Sequence, residues 1–342
     1  LPAGLAEVFR MPGVPDLPAH GSDGSPLIES SSNKGRTVLK RFQIQDGRIA
    51  ESTNGDAPVL MYIAPDDAEK AYLVNTFLLD EHTFNSSLDP NELGRLEFEQ
   101  SHVAVIFKRP RRYSSKDNFL LKVDSVGLFL FSDKLVVVAQ EEFLFEGRVF
   151  TKLRTVQDVF IKMVFNCIRH FEEHLVVIHG ISDELEMEIN TSMSNKNLIY
   201  MFNLEKSLVY YLNAINSNSK VIEKLKMNSA KIGFPQEVVE FLEDVIIENA
   251  QCYEQANTYS QVLSSLMDAR ASIISNNLNI RMKMLTIISL CIMLPTLIVS
   301  LFSMNMPLPL PHQSSLVPFW IVLGLATMSV VGILVVWRLR KW

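Results

Sequence analysis

Two uncharged runs constrain this chain more than any other feature. Residues 284–304 and residues 316–337 are stretches of 21 and 22 residues without a charged side chain. At 1.5 Å per helical residue each spans ~30 Å, the thickness of a bilayer's hydrocarbon core. Globular helices average ~12 residues and keep a polar stripe, so runs of this kind are unusual in a water-soluble fold. Two membrane-spanning helices are expected; the competing reading is a hydrophobic hairpin buried in a soluble core. Arg281 and Lys283 precede the first run, and Arg338, Arg340 and Lys341 follow the second, while the connection MNMPLPLPHQSS has no basic residue. The excess of Lys and Arg on cytoplasmic flanks then puts both ends of the pair inside and the connection, residues 305–315, outside. Trp320 and Trp337 fall near the ends of the second run, as interfacial aromatics do. The expected location is an inner or plasma membrane, crossed twice, with both termini cytoplasmic.

The charges separate along the chain. The net charge is −6, yet from residue 281 onward there are five basic residues and no acid, which leaves the first 280 residues at −11. An acidic body excludes a nucleic-acid partner, because such binding needs clustered Lys and Arg to replace counterions. Cys167, Cys252 and Cys291 are odd in number and far apart, which excludes a disulfide scaffold and fits a reducing compartment. Residues 1–35 are rich in Gly, Pro and Ser, without an apolar run; a flexible arm is expected there and no signal peptide is read. No phosphate loop, dinucleotide fingerprint or nucleophile–base motif is present, so neither a nucleotide partner nor an enzyme is expected.

The remaining body divides in two. Residues 36–150 read as an α/β domain. Its strand-like segments are 37–45, 58–63, 102–108, 118–123, 126–131 and 134–139, with helical patterns at 66–78 and 83–93. Ser132-Asp133 suits a tight turn between the last two strands. Residues 151–283 read as a long helical hairpin followed by a stalk helix. Residues 235–305 contain no Gly and only Pro235 and Pro295, so a single helix of ~105 Å can run from the body into the first span. Its apolar side (Val238, Phe241, Val245, Leu263, Leu266, Met267) needs neighbours, including copies of itself. His170-Phe171-Glu172-Glu173-His174 matches the spacing of a zinc-peptidase motif, but no third ligand is evident and an ordinary helix face is expected. Asp183, Glu184, Glu186 and Glu188 read as a solvated helix end.

Met282, Leu285, Ser289, Met293, Thr296, Ser300 and Ser303 recur every three or four residues, a heptad-like seam that is apolar towards the cytoplasm and rich in hydroxyls in its outer half. Two spans cannot enclose a path in one subunit, but one helix from each of several subunits can. A small-residue helix–helix interface is the other reading of this spacing.

The first span ends Ser303-Met304-Asn305, then come a short loop, a second span and the terminus Arg338-Leu339-Arg340-Lys341-Trp342. Upstream lies Met282-Lys283-Met284-Leu285-Thr286-Ile287-Ile288. This layout resembles the CorA family of divalent-cation transporters, whose signature is Gly-Met-Asn after a stalk helix with a similar M-K-x-L-T-I-I run. Weaker likeness lies around Leu96-Glu97-Phe98 and at residues 102–108. The resemblance implies a funnel-shaped homopentamer: a cytoplasmic α/β domain, long stalk helices and two C-terminal spans in the lipid bilayer. It also implies Mg²⁺ as cargo. Asn305 would form a ring at the outer mouth with Ser303 and Met304 beside it. Asn279, Met282, Leu285, Ser289, Met293, Thr296 and Ser300 would line the pore. A regulatory cation would sit between neighbouring subunits on Asp244, with Asp89 near the expected partner position, Ser86. Ser303 and Ser300 stand where the family has glycines, and the loop after Asn305 lacks the family's acidic residue. Two alternatives follow: a Zn²⁺ or other transition-metal transporter, for which the loop residue His312 offers a ligand, and a non-conducting membrane-anchored cation sensor or scaffold.

Overall fold

The computed structural model describes residues 38–339 except 54, 113–117, 146, 192–194 and 304–315. The expected N-terminal arm, Met304, Asn305, the connecting loop with His312, and residues 340–342 lie outside the described residues.

The described residues form a seven-stranded sheet: β1 (Val38–Gln45), β2 (Arg48–Glu51), β3 (Val59–Ile63), β4 (Arg95–Phe98), β5 (Val103–Pro110), β6 (Val123–Leu130) and β7 (Leu135–Ala139). The order across the sheet is β2-β1-β3-β7-β6-β5-β4. Only the β3–β7 pair is parallel, with Met61 opposite Val137. The β6–β7 hairpin closes at the expected Ser132-Asp133 turn, where the Phe131 amide donates to the Lys134 carbonyl.

Helices α1 (Asp67–Thr76) and α2 (Glu81–Leu88) cover one face of the sheet. Their Leu73 and Phe84 join Leu60, Tyr62, Ala104, Phe129, Val136 and Val138 in one core. Asp66 and Asp80 cap the two helices by accepting from the Glu69 and Thr83 amides. Gly127 in β6 lets α2 come down onto the sheet: a Cβ there would lie 2.5 Å from the Ser87 Cβ. The other face carries α3 (Val156–Thr191) and α4 (Asn195–Met227), both against β5. With both faces covered, β7 is buried at every position, which is why LVVVA reads as a continuous apolar run and not an alternating one.

The expected strand 118–123 is not one. Asn118 and Phe119 take left-handed backbone angles (φ 49° and 64°), and the Leu121 amide donates to Ser207 Oγ on α4 at 2.8 Å. That hydrogen bond goes to a side chain of a helix, so the segment's apolar residues mark packing and not a ladder. Strands β2 and β4 were not anticipated. Both have four residues and carry charges, although Asp46-Gly47 before β2, with φ of 50° and 71°, is a hairpin signal that the sequence does display. The pattern over 83–93 stops at Leu88, ahead of Pro90.

After the short α5 (Ser229–Ile232), α6 runs Gln236–Phe302 and α7 runs Val317–Leu339. The chain separates into two compact units, residues 1–264 and 265–342, so the boundary falls inside α6. In the first unit α6 buries Val238, Leu242, Val245, Asn249, Cys252, Ala256 and Leu263.

Candidate ion pathway and cation sites

In the second unit, none of the apolar stretch of α6 is buried and only 6% of that of α7. A hairpin in a soluble core would be covered. At ~25 cal/mol per Å² of apolar surface, leaving these helices in water would be prohibitive, so they are built for lipid and for other helices.

The cover that does exist is one-sided. On α6 the part-covered positions are Ile287, Cys291, Leu294, Pro295, Ile298 and Phe302; on α7 they are Pro318, Val322, Ala326, Ser329, Val330 and Ile333. Steps of three and four are the mark that two helices packed side by side leave on each other. The seam residues Met282, Leu285, Ser289, Met293, Thr296, Ser300 and Ser303 are all exposed. At ~100° per residue the seam and the part-covered face of α6 point about 170° apart. The seam is therefore not the part-covered face of α6. Asn279 is exposed as well, about 80° off the seam's centre by the same count.

Two hydroxyls on this seam, those of Thr296 and Ser303, are pre-oriented. Thr296 Oγ1 donates to the Ile292 carbonyl at 2.5 Å, and Ser303 Oγ to the Ser300 carbonyl at 2.9 Å. A hydroxyl whose hydrogen is spent on its own helix presents lone pairs, so it accepts hydrogen bonds from whatever approaches. Pro295 removes one amide from the same stretch and frees the Cys291 carbonyl on the opposite side.

The regulatory candidates are differently placed. Asp244 is exposed on α6. The Asp89 carboxylate accepts from the Asn91 amide at 2.8 Å, and its carbonyl accepts from Ser125 Oγ at 2.6 Å. Ser86 is buried beneath Arg95, which donates to Ser86 Oγ at 3.1 Å and pairs with Glu92 and Glu97 at 3.2 and 3.1 Å. A guanidinium already neutralises the carboxylates next to Ser86. Among the described residues no three His, Cys, Asp or Glu side chains converge as a metal-holding group.

The two-histidine motif is a packing feature. His174 is buried, its Nδ1 is 2.6 Å from the Tyr211 hydroxyl, and the His170 ring meets it edge-on at 4.6 Å. Burial first, then the neighbouring Arg109, lowers His174 to about 4; burial and then His174 lower His170 to about 3. Both rings are neutral near pH 7. Cys167 and Cys252 are free and buried, and burial pushes each thiol up to about 12.

The architecture is thus a soluble α/β body with a seven-stranded sheet, long helices and two exposed C-terminal apolar helices. The family described as CorA-like Mg²⁺ transporter protein matches residues 60–341, and the chain belongs to it. It is thus a divalent-cation transporter of the CorA type, and not an enzyme. The chain is 22% identical over 289 residues to the cobalt/magnesium transport protein CorA of Methanocaldococcus jannaschii, covering 81% of this chain and 89% of that one. It is 25% identical over 174 residues to the cobalt/magnesium transport protein CorA of Thermotoga maritima, half of this chain and 49% of that one. Among solved structures, the complete CorA magnesium transporter of M. jannaschii superposes with a TM-score of 0.71 at 20% identity, covering 88% of this chain and 97% of that one.

Proposed function

We propose that this chain conducts Mg²⁺ down its electrochemical gradient through a homopentameric pore lined by the exposed seam of α6. The observation that carries this reading is the direction of the seam, opposite the part-covered face of α6 and exposed along its whole length. Copies of the chain can meet there around an axis. The relatives named for cobalt and magnesium transport point to the same cargo class.

The chemistry fits a hydrated dication. Mg²⁺ gives up its waters reluctantly, and those waters point their hydrogens outward. Thr296 and Ser303 offer lone pairs to such a shell, and Ser289 and Ser300 extend the hydroxyl path. Asn305 places an amide carbonyl at the outer mouth, with Ser303 and Met304 beside it; neutral carbonyls bind weakly enough to release the ion. Met282, Leu285 and Met293 form the apolar constriction, and Asn279 stands at its inner side. The domain at 36–150 and the hairpin and stalk at 151–283 are cytoplasmic, residues 284–304 and 316–337 cross the membrane, residues 305–315 face outward, and 338–342 return inside. An inside-negative potential of 100 mV then favours entry by ~4.6 kcal/mol for two charges.

Regulation through Asp244 and Asp89 between subunits is weak in this reading, because Arg95 already supplies positive charge to Glu92 and Glu97 beside the partner position.

The test is ion flux into liposomes holding the full chain, with a Mg²⁺-sensitive dye inside and an imposed inside-negative potential. Uptake that Asn305→Ala abolishes supports the pore and its outer ring. Uptake of Zn²⁺ in place of Mg²⁺ replaces the cargo and keeps the fold's function. Silence with both ions leaves a membrane-anchored sensor.

A further inference from the structure

Strand β4 is half as long as its neighbour β5. It pairs with residues 103–106 and stops, so the edge of β5 from Phe107 to Pro110 has no strand beside it among the described residues. Two other parts of the chain close in on that edge. Asn218 of α4 stands in for a paired residue: its Oδ1 accepts from the Lys108 amide at 2.8 Å, and its Nδ2 donates to the Lys108 carbonyl at 2.9 Å. The segment after α2 is held by the Lys108 ammonium through the Pro90 and Glu92 carbonyls. Between α4, this segment and the strand ends lies a cavity of about 350 Å³. Pockets of ~300–1,000 Å³ are the usual size for small organic ligands.

The cavity is rich in donors. Tyr210, Asn213 and Ser217 line it from one face of α4, at steps of three and four. Ser217 is 6% exposed, and its Oγ accepts from the Gly94 amide at 2.7 Å; its own hydrogen has no acceptor among the described residues. The Asn213 side chain is exposed and makes no hydrogen bond among the described residues. Lys108, Arg111 and Lys122 line the sheet side. The acids whose charge reaches Lys108 are Asp89, Glu92 and Asp124, and each is engaged elsewhere. Arg95 draws Glu92 at 3.2 Å, Arg111 clasps Asp124 at 2.7 Å, and Asp89 accepts from the Asn91 amide at 2.8 Å. The three hydrogens of the Lys108 ammonium go to neutral oxygens. In a body whose first 280 residues carry −11, a cavity lined by three cations and one acid is an exception.

We propose that this cavity binds a small organic phosphate, with the phosphoryl group between the cations of the sheet side and the Asn213 and Ser217 donors of α4. A phosphoryl group has three oxygens pointing in different directions and can use donors on both walls; a carboxylate has two, in one plane. A bare phosphate would leave most of the volume empty. Leu93, Leu120 and the Tyr210 ring line the remainder and suit an apolar or aromatic moiety. The walls are fixed before a ligand arrives, by Asn218 on Lys108 and by Ser207 on the Leu121 amide, so little ordering is spent on binding. The cavity lies wholly within the first unit and depends on neither the cargo nor the pore.

The test is isothermal titration calorimetry of the full chain in phosphatidylcholine nanodiscs, in buffer without Mg²⁺ or phosphate. The probes are phenyl phosphate, inorganic phosphate and benzoate. Phenyl phosphate should bind saturably, roughly tenfold tighter than either of the others, and more weakly as KCl is raised. Asn213→Ala and Lys122→Ala remove side chains that are exposed in the structure, so each should melt as the wild type does without ligand. Each should weaken phenyl phosphate binding roughly tenfold. No saturation at millimolar phenyl phosphate, inorganic phosphate or benzoate binding as tightly, or full affinity in the variants, would overturn the assignment. If one variant melts early, the other carries the comparison.

Discussion

Ser303 spends its hydroxyl hydrogen on the carbonyl of Ser300, 2.9 Å away, at the point where α6 ends. Ser303 and Ser300 are thus tied to each other one turn apart. The tie orients Ser303 as an acceptor and holds the last turn. Ser303→Ala should lower Mg²⁺ flux by a factor of ~3–10, the worth of one hydrogen bond at the transition, while Ser303→Thr keeps it. Flux of both variants in one liposome preparation checks this; equal rates for Ala and wild type would remove Ser303 from the ion's path.

Gly127 is a position where a side chain is refused. A Cβ would sit 2.5 Å from the Ser87 Cβ and 2.9 Å from the Phe129 ring. Gly127→Ala should cost about 1–3 kcal/mol by overpacking α2 against β6. A melting curve of the purified protein should show the transition several degrees lower, and Ser87→Gly in the same chain should recover part of the loss.

Among the described residues, Lys108 is a buried cation without a salt bridge. Its ammonium donates to the Pro90 and Glu92 carbonyls at 2.8 and 2.7 Å and to Ser125 Oγ at 2.9 Å, pinning the segment after α2 onto β5 and β6. Lys108→Met should cost about 3 kcal/mol, because three acceptors, the Ser125 hydroxyl buried and two carbonyls part-buried, lose their donor. Burial lowers the ammonium to about 8. Between there and the ordinary lysine range the unfolded chain binds more protons, so this residue makes stability rise with pH across that window. Denaturation measured at pH 8 and pH 10 should show the rise in the wild type and a flatter response in the variant.

Acid should act through the histidines. The folded protein keeps His170 and His174 neutral down to about 3 and 4, whereas the unfolded chain protonates them near 6.5. Stability is lost as pH falls from 6.5 towards 4. Replacing both by Gln should reduce the slope of denaturation midpoint against pH in that interval; an unchanged slope would place the acid sensitivity elsewhere.

The two C-terminal apolar helices were legible because a long run without charge can be counted in 284–304 and 316–337. The apolar strands β3, β5, β6 and β7 were legible for the same reason: each is buried on both faces, and composition alone announces it. What escaped depends on distant partners. The segment at 118–123 has a strand's composition, but its Leu121 amide goes to Ser207, far along the chain. Strand β4 is polar, and its place at the sheet's edge is set by pairing with β5. At the candidate sites, the hydroxyl seam could be read from spacing, but its direction relative to the part-covered face could not. Arg95 over Ser86 joins residues whose sequence neighbours give no sign of the meeting.

The one parallel pair, β3 with β7, has a consequence for the order of synthesis. Everything in residues 64–134 must leave the ribosome before β3 can gain its partner on that side, and an unpaired central strand is an adhesive edge. Until Ala139 has emerged, the nascent chain carries a half-built sheet; the two apolar helices follow it in chain order. Chaperone demand should therefore peak while the body is being made and ease before the membrane is reached.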